Sequence, residues 1–348
     1  MNVNRRALIG RLEIVAPVFG PAGAPIDTQN IKLWDDLVQV SNGLVRIQTS
    51  LPVNLEFRVA VPGAAFIALL KSLKTDEVDL KLGKDGKYLS VMTDKVQGKF
   101  NATKVEKIEP IDFTMYKAIT DAKQCEDIIA GLAACRHNVS KDENAGALCG
   151  VRIDGNKILS TNRSRIFRFA LTFDVGYQCT VQTGFIDVAA VHIDKIDAVY
   201  YMVDEAFGVS SGDTKIQTKL IDGKYPDLDS YFPDENSTNV KVITYLDNIG
   251  ESLGRHIEFL SGVDKADKEV LIKFAGDVCE FITRNPSVGE IVEVMKLKDP
   301  VDKEITFLIN PILLKEFLSR CNHFSYFGDS KLVLFELDGV KHLVQTRE

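Results

Sequence analysis

Stretches with an apolar residue every three or four positions alternate along the chain with stretches in which every second residue is apolar. Leu8, Leu12 and Val15 share one face of a helix predicted over residues 4–16. In contrast, the alternation around Val78 predicts a strand with one buried face. The pattern therefore predicts a chain that mixes amphipathic helices with half-buried antiparallel strands.

This succession of elements recurs three times. Three longer helices are predicted over residues 4–16, 121–137 and 245–260, and three shorter ones over residues 61–73, 186–196 and 309–321. Three strands that begin with glycine, over residues 43–50, 155–162 and 276–285, precede the shorter helices. These glycines are roughly 112 and 121 residues apart, a spacing typical of an internal repeat.

The recurrence predicts three domains of similar size, over residues 1–111, 112–233 and 234–348. The second boundary falls at the polar, turn-rich segment PDENSTN, residues 233–239. Each domain is predicted to be α+β, with antiparallel sheets and two helices. Chance recurrence is the alternative, since helix and strand patterns return in any long chain of this class, but landmarks that keep their order argue for a true repeat.

Composition bounds the class of protein without fixing its partners. The 348 residues exceed what one hydrophobic core usually organises, and 45% hydrophobic with 26% charged residues is typical of a soluble globular protein. The net charge of −7 argues against a nucleic-acid partner only as a total. An acidic outer surface around a basic channel would give the same sum.

The six cysteines form no CxxC pair and have no regular spacing, so neither a zinc site nor a disulfide framework is predicted. Reduced thiols in a cytoplasm fit this usage best. We identify no signal peptide and no apolar run of the roughly 18 residues that a membrane span needs.

The chain contains no nucleotide-binding glycine loop, no HExxH and no GxSxG string. No close pair of carboxylates stands at helical spacing beside a histidine. We therefore predict no catalytic residue, no metal and no cofactor. Carboxylates that converge only in the fold, as in a metal-dependent nuclease, remain open.

One segment is more specific than the rest. In TKLIDGKYPDLDSYFP, residues 218–233, a strand ends at a tight Asp222-Gly223 turn and Pro226 prevents it from continuing. The segment resembles the end of the second domain of the bacterial DNA polymerase III β subunit, the sliding clamp family. Residues 61–101, 158–171 and 278–294 resemble further parts of the same family in the same order.

The chain also departs from the family pattern. Asn162-Arg163-Ser164-Arg165 stands where the family has Asp-Gly-His-Arg, and the tail from His342 onward lacks the Met-Pro-Met type of ending. We therefore identify the chain as resembling a divergent member, whose partner specificity these changes put in question.

The resemblance implies a non-catalytic processivity factor with the DNA clamp fold. Two copies would join head to tail as a homodimeric ring of six similar domains around double-stranded DNA, without reading its sequence. The ring would tether the replicative polymerase and clamp-loader subunits through short linear peptides. Two alternatives stay open: a clamp-like peptide-binding module that no longer encircles DNA, and a DNA-modifying α+β enzyme, which the absent motifs disfavour.

In the family, the two helices of each domain line the channel, so basic residues on their outer faces are candidates for phosphate contacts. The candidates are Arg5, Arg6, Arg11, Lys71, Lys74, Lys123, Arg136, Lys195, Arg255, Lys315 and Arg320, with His192 beside them. Alternatively, these are ordinary solvated charges of amphipathic helices.

The resemblance also implies an apolar peptide-binding cleft between the second and third domains. Its residues would be Leu159, Thr161, Arg163, Ser164, Arg165, Ile166, Pro226, Ser230, Tyr231, His342, Leu343, Val344, Gln345 and Thr346. Alternatively, Leu343 and Val344 belong to a final strand that packs the third core, and Pro226 is a turn residue; both roles can hold together.

A ring also requires complementary strand edges on the first and third domains. We expect these edges within residues 71–82 and 270–282. Lys74, Asp76 and Glu77 would then face Lys268, Lys273 or Arg284.

Overall fold

The computed structural model of the chain describes residues 1–346 except for positions 22, 106–107, 194–196, 234–239, 245–248, 266, 319–320, 322, 329 and 338; of residues 240–244 and 337 it describes the backbone only. The chain forms two compact units. The first comprises Met1–His137, Glu143–Ile158 and Leu171–Lys224, and the second comprises Asn138–Asp142, Leu159–Ala170 and Tyr225–Glu348. The predicted division into three domains stays a prediction.

The described residues form the following helices: α1 Arg5–Val15, α2 Gly63–Ser72, α3 Ala122–Cys135, α4 Thr183–His192, α5 Ile249–Phe259 and α6 Pro311–Leu318. The strands are β1 Asn2–Asn4, β2 Asn30–Ser41, β3 Val45–Pro62, β4 Glu77–Leu82, β5 Tyr88–Met92, β6 Gln97–Asn101, β7 Thr103–Lys104, β8 Lys117–Ile119, β9 Gly150–Asp154, β10 Lys157–Thr161, β11 Arg165–Ala170, β12 Gln178–Gln182, β13 Val199–Val203, β14 Ala206–Ser211, β15 Thr214–Lys219, β16 Val240–Thr244, β17 Val270–Asn285, β18 Gly289–Ile309, β19 His323–Phe327, β20 Leu332–Leu337 and β21 Val340–Gln345. None of these helices is long and apolar enough to cross a membrane.

All six predicted helices are present, and they pack in pairs: α1 against α2, α3 against α4, and α5 against α6. The predicted apolar face of α1 is buried, with Leu8, Leu12 and Val15 at most 2% exposed. The Asn4 side chain caps α1 by accepting from the backbone N–H of Ala7 at 2.9 Å.

The fourth helix differs from its predicted range of 186–196. It begins at Thr183 and ends at His192, while residues 194–196 lie outside the described part of the chain. The prediction missed the first turn because Thr183 and Gly184 interrupt the apolar pattern. Phe185, fully buried, nevertheless anchors that turn. The predicted start of the fifth helix, 245–248, also lies outside the described residues.

In the first unit, a four-stranded sheet has the order β1-β4-β5-β6, and a larger sheet has the order β2-β3-β15-β14-β13-β8, with β7 paired to β3. β12 pairs antiparallel with β9. The pairing of β3 with β15 joins the first predicted domain to the second, with Ile47 opposite Ile216. Both of these isoleucines are fully buried, so the two predicted domains share an apolar sheet face.

In the second unit, β11, β21, β20, β19 and β16 are neighbours in that order, and β17 pairs with β18 in a long hairpin. β11 carries residues of the second predicted domain, and β21 ends the third. β11 and β21 therefore join two successive predicted domains in the second unit, as β3 and β15 do in the first unit.

The expected ring edge within residues 71–82 is wrong. β4 is the strand of that segment, and it has β1 on one side and β5 on the other. β1 covers Glu77–Asp79 and β5 covers Asp79–Leu82, so β4 is an inner strand and leaves no strand-long free edge for a second chain. Among the described strands of this sheet, β6 is the long strand with a free edge.

Candidate functional site

Two of the three segments predicted to form the peptide cleft are neighbouring strands of the second unit. Arg165 lies opposite Val344 and Ile166 opposite Leu343 in the antiparallel pairing of β11 with β21. The pairing extends into the preceding turn, because the N–H of Gln345 donates to the carbonyl of Ser164 at 3.3 Å.

The turn before β11 is fixed by two side chains. The Asn162 carboxamide oxygen accepts from the backbone N–H groups of Ser164 and Arg165, both at 3.2 Å. The Thr161 hydroxyl donates to the carbonyl of Arg165 at 2.8 Å and accepts from the N–H of Arg163 at 3.1 Å. Such Asx and hydroxyl turns hold a loop in one conformation without needing burial.

Arg168 attaches the third segment, the turn Asp229–Tyr231, to β11. Its guanidinium lies 3.4 Å from the Asp229 carboxylate and stacks 3.9 Å from the centre of the Phe232 ring. The sequence prediction missed these three residues. The sequence held one signal for Arg168: in the strand RIFRF, alternate residues point to opposite faces, so Arg168 lies on the face opposite to Arg165 and Phe167.

Burial separates the predicted cleft residues into a surface and a support. The exposed ones are Arg163, Ser164, Pro226, Ser230, Tyr231 and Gln345, whereas Leu159, Thr161, Ile166, His342, Leu343, Val344 and Thr346 are buried, with Arg165 intermediate. Leu343 and Val344 are each only 2% exposed, so they pack the core as the alternative reading proposed. The apolar surface that a peptide can reach comes chiefly from Pro226 and Tyr231.

An aromatic cluster holds β11, β21 and α6 together. The His342 ring is 3.9 Å from the Phe167 ring and 4.8 Å from the Phe317 ring. Arg165 lies over Phe167, and burial lowers the pKa of its guanidinium, while the Glu316 carboxylate at 3.8 Å acts in the opposite direction. The three rings are at most 8% exposed, so the cluster packs these elements together and offers no surface to a ligand.

The first unit contains a counterpart of the turn Asp229–Tyr231. Asp112 accepts from the N–H of Thr114 at 2.9 Å, as Asp227 accepts from that of Asp229 at 3.1 Å. The N–H of Tyr116 then donates to the carbonyl three residues earlier, and the N–H of Tyr231 does the same. The two turns are thus geometric repeats.

The tyrosines that end these two turns have different surroundings. The Tyr116 hydroxyl is hydrogen-bonded to Gln217 of β15, which also accepts from Arg46 of β3. The hydroxyl of Tyr116 is thus hydrogen-bonded within the first unit, and its side chain is only partly exposed. Tyr231 is 58% exposed and offers an aromatic ring to solvent. A large exposed aromatic side chain of this kind is a common anchor in protein interfaces.

Most of the predicted DNA-contacting residues of the first unit form ion pairs with carboxylates. Arg6 pairs with Asp76, Arg11 with Asp213, Lys71 with Glu13, Lys123 with Asp127 and Arg136 with Asp187. Arg5 donates to the carbonyl of Leu70 in the last turn of α2, where a cation complements the helix dipole, and to the carbonyl of Thr75 in the loop that follows. Lys74 is exposed beside that helix end.

In the second unit, Arg255 makes a bidentate pair with Glu293 of β18, at 2.6 and 2.8 Å. This pair lowers the Glu293 pKa to about 2. Lys315 is exposed on α6. Two further predicted residues, Lys195 and Arg320, lie outside the described part of the chain. In the described part of the chain, six of the predicted DNA-contacting cations thus pair with carboxylates.

The remaining side chains offer little for metal chemistry. Within the described ranges, no group of three or more His, Cys, Asp or Glu side chains is placed to hold a metal ion. All six cysteines are free thiols, and five of them are buried. His192 is half-buried near the end of α4, where burial lowers its pKa.

Comparison with known proteins identifies the fold. No protein-family model and no curated protein matches the chain. A DNA polymerase sliding clamp from Caulobacter crescentus matches 100% of this chain and 99% of its own, with a TM-score of 0.85 and 15% identity. The DNA polymerase III subunit beta of Pseudomonas aeruginosa gives full coverage of both chains, a TM-score of 0.83 and 15% identity. The beta chain from Streptococcus pneumoniae covers 100% and 99%, with a TM-score of 0.83 and 16% identity.

The chain therefore has the sliding-clamp fold over its whole length, and the predicted α+β clamp architecture is confirmed. At these identities the likeness establishes the fold alone.

Proposed function

We propose that the chain is a DNA sliding clamp, a non-catalytic processivity factor that encircles duplex DNA in the cytoplasm as a head-to-tail homodimer. The observation that carries this proposal is the repeated pairing of strands between successive predicted domains. The clamp-type neighbours support it as proteins of the same fold.

The pairing follows one rule. In the first unit, the strand after the first domain's turn, β3, pairs with β15, the last strand of the second domain. In the second unit, the strand after the second domain's turn, β11, pairs with β21, the last strand of the third. This rule leaves two strands without such a partner in the single chain. One is β18, which follows the third domain's turn, and the other is β6, near the end of the first domain.

Both leftover strands have a free edge among the described strands of their sheets. If β18 of one copy pairs with β6 of a second, and the reverse pair also forms, the head-to-tail contact closes after two copies. This replaces the edge that the sequence suggested at residues 71–82. The proposed contact still uses the β17–β18 hairpin, which contains the second segment that the sequence suggested, residues 270–282.

β18 also bears the apolar surface that such a contact needs. Val292 and Val294 are 48% and 62% exposed in the single chain, and Val288, in the turn just before β18, is 62% exposed. Exposed valines grouped on one strand and its turn are unusual on a solvated surface and are typical of an interface.

The ring would hold DNA by topology and not by affinity. The helix cations are mostly neutralised by carboxylates, so few of them can release counterions from phosphates. Weak, sequence-independent attraction of this kind lets a ring slide. The same neutralisation favours the second candidate, a peptide-binding module that no longer encircles DNA.

Partner proteins would dock through linear peptides on the surface that Pro226 and Tyr231 form beside β11 and β21. An exposed aromatic ring and a proline supply the apolar contact, and the polar turn at residues 162–164 supplies hydrogen-bonding groups. The replicative polymerase and the clamp loader are the expected owners of such peptides.

Light scattering on a sizing column across a dilution series tests the ring. The proposal predicts a mass of twice the 38.6 kDa chain that survives dilution. A monomer at every concentration would contradict the ring and leave the peptide-binding module.

A further inference from the structure

Two cations of the second unit are held in a backbone conformation that favours glycine. Among the described residues, Asp35, Arg163 and Lys331 are the non-glycine residues with positive φ; for Arg163 and Lys331 φ is 76° and 55°. Side chains with a Cβ pay a steric cost there, and such strain tends to persist where function requires it.

These two cations stand at the same end of three neighbouring strands. Ser164, next to Arg163, accepts from the N–H of Gln345 at 3.3 Å, and the carbonyl of Lys331 accepts from the N–H of Thr346 at 2.9 Å. Since β11, β21 and β20 are adjacent, the two turns are about 10 Å apart across the sheet. They flank the end of β21.

The chain itself contains the unstrained version of the Arg163 turn. In the first unit, Asn42 accepts from the N–H groups of Leu44 and Val45, as Asn162 does from the two residues at the same positions. The residue in the left-handed position there is Gly43, with φ of 93°. The turn therefore does not require arginine.

Local packing does not explain the arginine either. The Arg163 side chain is exposed, and its described hydrogen bond uses the backbone N–H. Its two neighbours on β11 have carboxylates: Arg165 has Glu316, and Arg168 has Asp229. The Arg163 guanidinium has no such carboxylate among the described residues, so its charge faces solvent.

We propose that Arg163, assisted by Lys331 across the end of β21, selects an acidic residue in the peptide whose apolar anchor docks next to Pro226 and Tyr231. This rests on the proposed peptide-binding function of that surface. A guanidinium fixed on a rigid turn can bind a carboxylate through paired hydrogen bonds. Acidic peptides are thus favoured over neutral ones of the same apolar content.

Two fluorescein-labelled probes test the selection: Ser-Asp-Asp-Leu-Phe-Ser and its neutral analogue Ser-Asn-Asn-Leu-Phe-Ser. Their affinities are measured by anisotropy with the full chain, at low and at high salt. The variants are R163N, R163K and R163G, because asparagine and glycine accept the left-handed conformation and lysine keeps the charge. G43R is the matched control at the equivalent turn.

We expect the wild-type chain to bind the acidic probe about threefold to tenfold more tightly than the neutral one, with the preference shrinking at high salt. R163N and R163G should abolish the preference, and R163K should retain part of it. R163G should also raise the Tm by about 2–4 °C, because strain is relieved. G43R should lower the Tm and leave the preference intact.

Equal affinity of both probes for the wild-type chain, or a preference that survives R163N, would overturn the inference while leaving the cleft in place. Absence of binding by either probe would overturn the inference and the peptide surface together. A dimeric mass and retention on circular DNA would then still support the ring. Displacement of the acidic probe by oligo-dT, with the same dependence on Arg163, would assign the charge to nucleic acid instead.

Discussion

At the scale of single residues, Glu293 should make folding stability depend on acid pH. The Arg255 hydrogen bonds hold its pKa at about 2, below the ordinary 4.5. Because the folded-state pKa is depressed, this stabilisation is present above pH 4.5 and is lost as the pH falls towards 2. E293Q should lower the free energy of unfolding by about 1 kcal/mol near pH 6.

Urea unfolding of the wild-type chain and E293Q across pH 2–6 measures this difference. It should be largest above pH 4.5 and shrink steadily towards pH 2. E290Q is the matched control, since the Glu290–Arg284 pair is more exposed at both ends. A gap between wild type and E293Q that does not change with pH would show that packing, not charge, is lost.

At this scale, the sequence allowed us to predict which side chains of a helix are buried, but not which charged side chains pair with one another. The apolar face of α1 follows directly from helical spacing, so Leu12 could be placed in the core. The partner of Arg11 could not be foreseen, because Asp213 lies 202 positions away in sequence. The same holds for Arg168 and Asp229, which meet only because a turn folds back onto β11.

At the scale of elements, the exposed valines of β18 predict which strand joins the two copies. V294E places a carboxylate in the proposed contact, and the residue is 62% exposed, so the single chain should fold normally. We expect V294E to be monomeric at concentrations where the wild-type chain is a dimer. Light scattering provides the mass, and circular dichroism checks the fold.

V191E is the matched control for this substitution. Val191 is 75% exposed at the end of α4, on an element outside the proposed contact. Its glutamate should leave the dimer unchanged. A dimeric V294E, or a monomeric V191E, would show that the contact does not use β18 as proposed.

Element-level prediction worked for helices because their signal is local. Six amphipathic stretches predicted six helices, with errors of a few residues at ends such as Thr183, where small residues blur the pattern. Strand partners are not local. Nothing in the sequence of β3 indicates that it pairs with β15, and β4 was assigned to a free edge although β1 covers it. Only the fold reveals these neighbours.

At the scale of the whole molecule, the pairing of most described helix cations with carboxylates predicts weak DNA binding with a shallow salt dependence. Lys74 and Lys315 are exposed candidates without a described carboxylate partner. The double variant K74Q/K315Q should reduce the slope of log K against log salt by about 2 per chain, since each lost phosphate contact removes about 0.9. Anisotropy with a duplex at several KCl concentrations measures this slope.

The matched control is K71Q, whose ammonium already lies 2.6 Å from Glu13. It removes a neutralised charge, exposes a carboxylate, and should weaken binding without an equivalent loss of slope. If K71Q lowers the slope as much as the double variant, the ion pairs open when DNA enters, and the helix cations contribute more than their present pairing suggests.

The central claim is a closed ring, and its topology is tested most directly by retention on circular DNA. The chain is mixed with nicked circular plasmid, the dimer is closed with a lysine-reactive cross-linker, and the complex is washed in high salt to remove electrostatic binding. The account predicts that protein stays on the circle and is released when a restriction enzyme linearises the plasmid. Equal loss from circular and linear DNA, or equal retention on both, would contradict it.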